Sequence, residues 1–191
     1  MSLPSLEKGP VRRVLIACIG NIFLGDDGFG VEVARQLAQH QPRYPAGVQV
    51  IDFGIRGLDL AFELLEDYDA LVLVDAVQRG GQPGTLYLVE PDLSGIDEEA
   101  GSRTGRIALD AHSMDPFKVL GFAQSLGART IRTLLVGCEP ANIVSEPDAT
   151  EVQIGLSASV EAAIPGALQM LDTLVAELFP LPFEYPLSTG P

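Results

Sequence analysis

The sequence predicts an α/β fold, a three-layer α/β/α sandwich on a five-stranded, twisted, mostly parallel sheet with one antiparallel strand. Three observations lead there. Short apolar runs alternate with segments of helical spacing, the βαβαβ order of a sheet covered on both faces. The runs themselves are almost continuously apolar, as strands buried on both sides must be. Finally, 191 residues with 47% hydrophobic and 20% charged content suffice for one domain with a substantial core.

The elements follow in order. Residues 11–18 (VRRVLIAC) form an apolar run ending near glycine, a buried-strand signature. Residues 28–41 carry Val31, Ala34, Leu37 and Ala38 at helical spacing. Residues 48–53 are a second strand, stopped by Gly54, and 58–65 a helix with Leu58, Phe62 and Leu65 on one face. Residues 70–77 (ALVLVDAV) are a third strand, apolar except for Asp75, and 85–90 a short fourth. Only residues 78–84 separate these two, too few for a crossover of a dozen or so residues, so the fourth strand runs antiparallel. Residues 91–110 are polar, acidic and glycine-containing, which predicts a loop or lid. A helix over 113–126, a strand over 130–138 and a long helix over 157–179, broken near Pro165, complete the domain. Its expected limits are 11–179, with tails at 1–10 and 180–191.

Composition excludes several functions. The net charge is −14, from 26 acids against 12 bases, which disfavours nucleic acid and anionic membrane surfaces. It is compatible with a cationic or metal-bearing partner. No apolar run approaches the roughly 18 uncharged residues of a membrane span. Residues 1–10 lack the apolar stretch of a secretory signal, and Cys18 and Cys138 form no Cys-x-x-Cys pair. A cytoplasmic protein without a structural disulfide is expected.

The richest segment is the glycine-rich turn after the first strand, Gly20-Asn21-Ile22-Phe23-Leu24-Gly25-Asp26-Asp27-Gly28-Phe29-Gly30. Open α/β proteins usually hold an anionic cofactor at this position. Here the turn is itself anionic, and its glycines do not space as Gly-x-Gly-x-x-Gly. A dinucleotide is therefore excluded, and a cation or a proton-transfer role fits better. Parallel strands direct their carboxyl ends to one crevice, so Asp27 and Asp75 are expected at the same edge. His112 opens the next helix and is positioned to join them. Two carboxylates and an imidazole suit a borderline metal with coordination positions left open.

Plainer roles stand beside these. Asp26 and Asp27 near a helix N-terminus each gain roughly 0.3–1 kcal/mol from the helix dipole. Asp75 in an apolar strand either emerges at the strand end or has a partner, since an unpaired buried charge costs several kcal/mol. His112 alone suits a helix start, and His40 the end of its helix. Cys18 reads as a buried, inert thiol.

Further matches then accumulate: Asp52-x-Gly54 with Gly57, Leu73-Val74-Asp75-Ala76, His112 followed by Val119-Leu120, Gly137-Cys138-Glu139-Pro140, and Gly155-Leu156-Ser157 leading to Val160 and Ala163. Together with the glycine-rich turn, this pattern resembles the nickel-iron hydrogenase maturation proteases over about residues 14–178. The resemblance implies an endopeptidase that removes a C-terminal extension from the hydrogenase large-subunit precursor after nickel insertion. It implies a metal-contacting trio of Asp27, Asp75 and His112, with nickel carried by the precursor and other divalent cations able to substitute. Two departures stand out: Cys18 where the family usually has glycine, and a longer segment over 94–111. Ser113 adjoins His112 without facing it, and no Gly-x-Ser-x-Gly elbow exists. Metal- or carboxylate-assisted hydrolysis with Asp27 as general base is therefore expected. The alternative is a non-enzymatic maturation chaperone docking the nickel-loaded large subunit. A small-molecule hydrolase would need an arginine-lined anion pocket, for which only Arg56 and Arg103 are placed.

Overall fold

A computed structural model describes residues 13–39, 44–93, 116–142 and 152–179. The elements run β1 (Val14–Ile19), a 3-10 turn (Gly25–Gly28), α1 (Phe29–Gln39), β2 (Val48–Gly54), α2 (Gly57–Glu63), β3 (Ala70–Ala76), β4 (Leu86–Val89), α3 (Pro116–Ser125), β5 (Arg132–Cys138) and α4 (Ala158–Leu178). The sheet order is β2-β1-β3-β5-β4. The first four strands in that order pair in parallel, and β4 pairs antiparallel with β5, Leu86 opposite Cys138. The expected sheet is the one observed.

The layers follow from the two-residue period of a strand. Val14, Ile16 and Cys18 of β1, with Val72 and Val74 of β3, face α1 and α4. Leu15, Ala17 and Ile19, with Leu71 and Leu73, face α2 and α3. Both sets are almost wholly buried, which is why these strands lack a polar face.

One expectation is corrected. The last helix is unbroken at Pro165. Pro165 lies on the solvent side, where water can serve the carbonyl that loses its hydrogen bond. The buried stripe Val160, Ala163, Ile164, Ala167 and Leu171 runs past it and holds both halves to the sheet. Ser157 caps this helix, accepting the N–H of Val160. Among the described residues, no helix is long and apolar enough to cross a membrane. The 94–110 part of the loop or lid, both tails, His40, Arg103, His112 and Ser113 lie outside the described residues.

The topology creates one crevice. The chain leaves β1 through α1, on one face of the sheet, and passes from β3 to β5 through α3, on the other. Adjacent parallel strands whose connections diverge in this way leave a cleft outside their carboxyl ends. Here that switch point lies between β1 and β3.

Candidate active site

Asp27 is set by the turn that carries β1 into α1. Gly20 adopts φ +140°, and a Cβ there would stand 2.0 Å from the Asp27 carbonyl oxygen, so only glycine fits. The N–H of Asn21 donates to the Asp27 carboxylate (Oδ2, 2.9 Å) and lies 3.2 Å from the Asp27 carbonyl oxygen. The Asn21 side chain in turn accepts the N–H of Phe23 at 3.0 Å, tightening the turn. Gly30 fixes the other side. Its hypothetical Cβ would lie 2.2 Å from the Ile19 carbonyl oxygen and 2.3 Å from that of Val74. The start of α1 therefore rests directly on the ends of β1 and β3, and half-buried Asp27 sits over the switch point.

Asp75 follows Val74 at the end of β3, opposite Gly137 of β5. It emerges where burial ends and is half-buried. Its Oδ1 accepts the N–H of Ala76 at 2.8 Å. A charge in this strand is tolerated because it emerges at the strand end. The structure thus brings Asp27 and Asp75 to neighbouring strand ends. The third member, His112, lies outside the described residues, four positions before the first residue of α3.

Asp26, adjacent to Asp27, has a different environment. It is 2% exposed. Its carboxylate accepts the N–H of Ser157 at 2.6 Å, Ala141 at 2.8 Å and Asn142 at 3.4 Å. The helix N-terminus that its carboxylate serves is therefore that of α4 and not that of α1. Asp26 ties the turn after β1 to the segment after β5.

Glu139 is a structural centre with no role in the sequence reading. Nearly buried, it accepts the N–H groups of Arg79 (2.9 Å) and Gly80 (3.0 Å) and the Tyr87 hydroxyl (2.7 Å). Burial pushes its carboxyl up, but the Tyr87 hydroxyl and the N–H groups of Arg79, Gly81 and Gly80 outweigh that and hold it below its ordinary value. The loop that follows Asp75 is thereby clamped to the end of β5. The only sequence signal was the Gly137-Cys138-Glu139-Pro140 turn.

The remaining candidates are committed elsewhere. Cys18 is fully buried, and burial, then the nearby Asp52 charge, raises its thiol. Cys138 is pushed up to about 11 by burial, then by Asp26 and Glu139. Neither is a poised nucleophile. Arg56 donates to the carbonyl oxygens of Phe53 and Asp52 and faces Asp59 at 3.8 Å, so it closes the turn into α2 and lines no anion pocket.

The chain is similar to known proteins. The family model of hydrogenase maturation proteases matches residues 31–173. The hydrogenase expression/formation protein HupD of Rhizobium leguminosarum bv. viciae is 32% identical over 170 residues, 88% of this chain and 77% of that protein. Among solved structures, the hydrogenase 2 maturation peptidase of Thaumarchaeota archaeon SCGC_AB-539-E09 aligns with TM-score 0.59 at 32% identity, covering 85% of this chain and 97% of that one. The hydrogenase maturating endopeptidase HybD of E. coli aligns with TM-score 0.61 at 27% identity, covering 86% and 93%.

Proposed function

Because the chain belongs to the hydrogenase maturation protease family, we propose that it is the endopeptidase that cuts the C-terminal extension from a nickel-iron hydrogenase large-subunit precursor, and that it recognises nickel already seated there. The observation that carries this reading is the pair of half-buried carboxylates, Asp27 and Asp75, on the ends of adjacent parallel strands at the switch point. A carboxylate pair at this place favours a cation over the phosphate that such crevices commonly hold.

His112 is the third contact in this reading. The topology supports it: α3 leads into β5, which is parallel to β3, so the N-terminus of α3 points to the carboxyl edge of the sheet. In the sequence His112 precedes that helix by four positions. Carboxylate and imidazole are harder ligands than thiolate, so they complete the coordination of a thiolate-bound nickel without extracting it. The metal travels with the substrate and is part of it.

The chemistry is amide hydrolysis. Asp75 and His112 orient the precursor's nickel, which polarises the scissile carbonyl or positions a water molecule. Asp27 takes a proton from that water as its oxygen attacks the carbonyl carbon, and the proton passes to the departing amine nitrogen. Neither cysteine competes for the role, since both thiols are buried and raised.

The test is to mix the purified protein with nickel-loaded and with metal-free precursor and to weigh the products by mass spectrometry. The expected result is shortening of the nickel-loaded form alone, and none with His112→Ala. A precursor that binds the wild-type protein but keeps its full length would instead establish a docking chaperone.

A further inference from the structure

The turn that carries Asp27 is paired along its outer side by a second segment. The N–H of Gln153 donates to the Phe23 carbonyl at 3.0 Å, and the N–H of Gly25 donates to the Gln153 carbonyl at 2.7 Å. These bonds make one rung of parallel pairing between Leu24 and Gln153. In an extended chain the backbone groups of successive residues point to opposite sides. Those of Val152 and Ile154 therefore point away from the turn, and neither residue has a hydrogen-bond partner among the described residues. Gly155, at φ +93°, bends the chain away and ends the segment.

The side chains are as unusual as the backbone. Val152 is 67% exposed and Ile154 81%. Ile22 and Phe23, in the Asp27 turn, and Ile55 and Leu58, after β2, are exposed at the same edge of the sheet. These six are more than half of the eleven large apolar residues exposed among the described residues. Scattered apolar surface needs no explanation, but a concentration at the carboxyl edge of the sheet does.

We propose that residues 152–154 are a docking strand for the substrate. On the reading of function given above, the occupant is the C-terminal stretch of the precursor that flanks the scissile bond, bound in an extended form. It adds to Val152 and Ile154 as a β-strand and lays its side chains on the apolar rim. The geometry selects this occupant. Outward N–H and C=O groups on alternate residues are matched by another extended backbone, whose main chain supplies affinity while its side chains supply specificity. The apolar rim selects aliphatic and aromatic side chains over polar ones. The rung at Leu24 lies three residues before Asp27, so a strand here runs beside the crevice. It lies two strand spacings, about 10 Å, from the backbone of the turn. The docked residues therefore flank the cut, and the chain beyond them turns into the crevice.

The test uses the full-length protein, the nickel-loaded precursor and a fluorescein-labelled synthetic peptide covering the precursor's C-terminal stretch. Ile154→Pro removes one outward N–H and leaves both Gln153 bonds, and the pair V152S/I154S removes the apolar side chains. Each is expected to weaken peptide binding, measured by fluorescence anisotropy, at least tenfold. Each should raise KM for the precursor by a similar factor, with kcat within twofold of wild type and an unchanged circular dichroism spectrum. Leu65→Ser, an exposed apolar site just beyond the far end of α2, should change neither. Unchanged peptide Kd and KM in both variants would overturn the docking strand while leaving the peptidase standing. A wild-type dimer that Ile154→Pro dissolves, with peptide binding intact, would also overturn it by assigning the strand to a second copy. Peptide binding that Ile154→Pro abolishes, in a protein that never shortens the precursor, would keep the strand and remove the peptidase.

Discussion

Asp26 and Asp27 are neighbours of equal charge in different environments, so substituting each in turn tests whether folding and the proposed chemistry separate. The Asp26 carboxylate accepts short hydrogen bonds from Ser157 (2.6 Å) and Ala141 (2.8 Å) and a longer one from Asn142 (3.4 Å). A hydrogen bond to a charged group contributes about 1.5–3 kcal/mol, which puts the two short ones at about 3–6 kcal/mol together. Ala141 is at the surface, and water replaces part of what it loses. Asp26→Ala is therefore expected to cost about 2–4 kcal/mol, and Asp26→Asn, which retains one acceptor oxygen, about half as much. Against a typical total of about 5–15 kcal/mol that is a large loss. Urea denaturation at constant m-value measures it. Asp27→Asn keeps an oxygen for the N–H of Asn21. With that hydrogen bond kept, its stability should fall by no more than about 1 kcal/mol, while processing of nickel-loaded precursor disappears. The reasoning fails if Asp26→Ala is as stable as wild type, or if Asp27→Asn processes at the wild-type rate.

Two further outcomes follow from the same geometry. Gly30→Ala drives a Cβ to 2.2 Å from the Ile19 carbonyl oxygen and 2.3 Å from that of Val74, both main-chain atoms with no rotamer to retreat into. Overpacking of this kind costs about 1–3 kcal/mol, visible as a lower urea midpoint, and processing per folded molecule should also fall because α1 lifts the Asp27 turn off the strand ends. Glu139→Gln tests the clamp on the loop after Asp75. The folded carboxyl lies below its ordinary value, so its contribution is full above the unfolded pKa and is lost as pH falls through the folded one. The variant should be clearly less stable than wild type at pH 7, with the gap closing below about pH 4. A gap that stays constant between thermal melts at the two pH values would refute the clamp.

Much of the architecture was legible because it rests on local signals. The alternation of apolar runs with helical spacing gave every described strand and helix within a few residues, and the short connection between Asp75 and Thr85 fixed the direction of β4. The placement of Asp27 and Asp75 at one edge was legible for the same reason, since strand order alone sends both to the carboxyl side. Three-dimensional compensation was not. Pro165 carries a helix-breaking signal, and only its solvent-facing position on a helix anchored by Ala163, Ile164 and Ala167 removes it. Asp26 and Asp27 are equivalent as letters. What distinguishes them is N–H groups at 141 and 157, more than a hundred residues away. Glu139 was hard to read in the same way, because its partners lie in the β3–β4 connection (Arg79 and Gly80) and in β4 (Tyr87), 52 to 60 residues earlier in the chain.

The charge distribution that results argues for the nature of the substrate. A helix N-terminus at the switch point of an open sheet attracts anions, and a glycine-rich turn there commonly cradles a phosphate. This chain places three carboxylates around that point and then takes one out of play. The charge of Asp26 is taken up by three N–H groups, one of them at the N-terminus of α4. Asp27, on the turn after β1, and Asp75, at the end of β3, are half-buried carboxylates at this point. An anionic ligand would meet like charge in a partly desolvated cleft, where repulsion is stronger than in water. A cation carried into the cleft by a polypeptide meets the opposite: two carboxylates held by backbone N–H groups, on a floor where Gly20 and Gly30 admit no side chain. Converting Asp75 to asparagine would remove half of that attraction without disturbing the turn. The expected reading is a raised KM for nickel-loaded precursor that grows less salt-dependent, and an unchanged salt dependence would show that the crevice does not recognise charge.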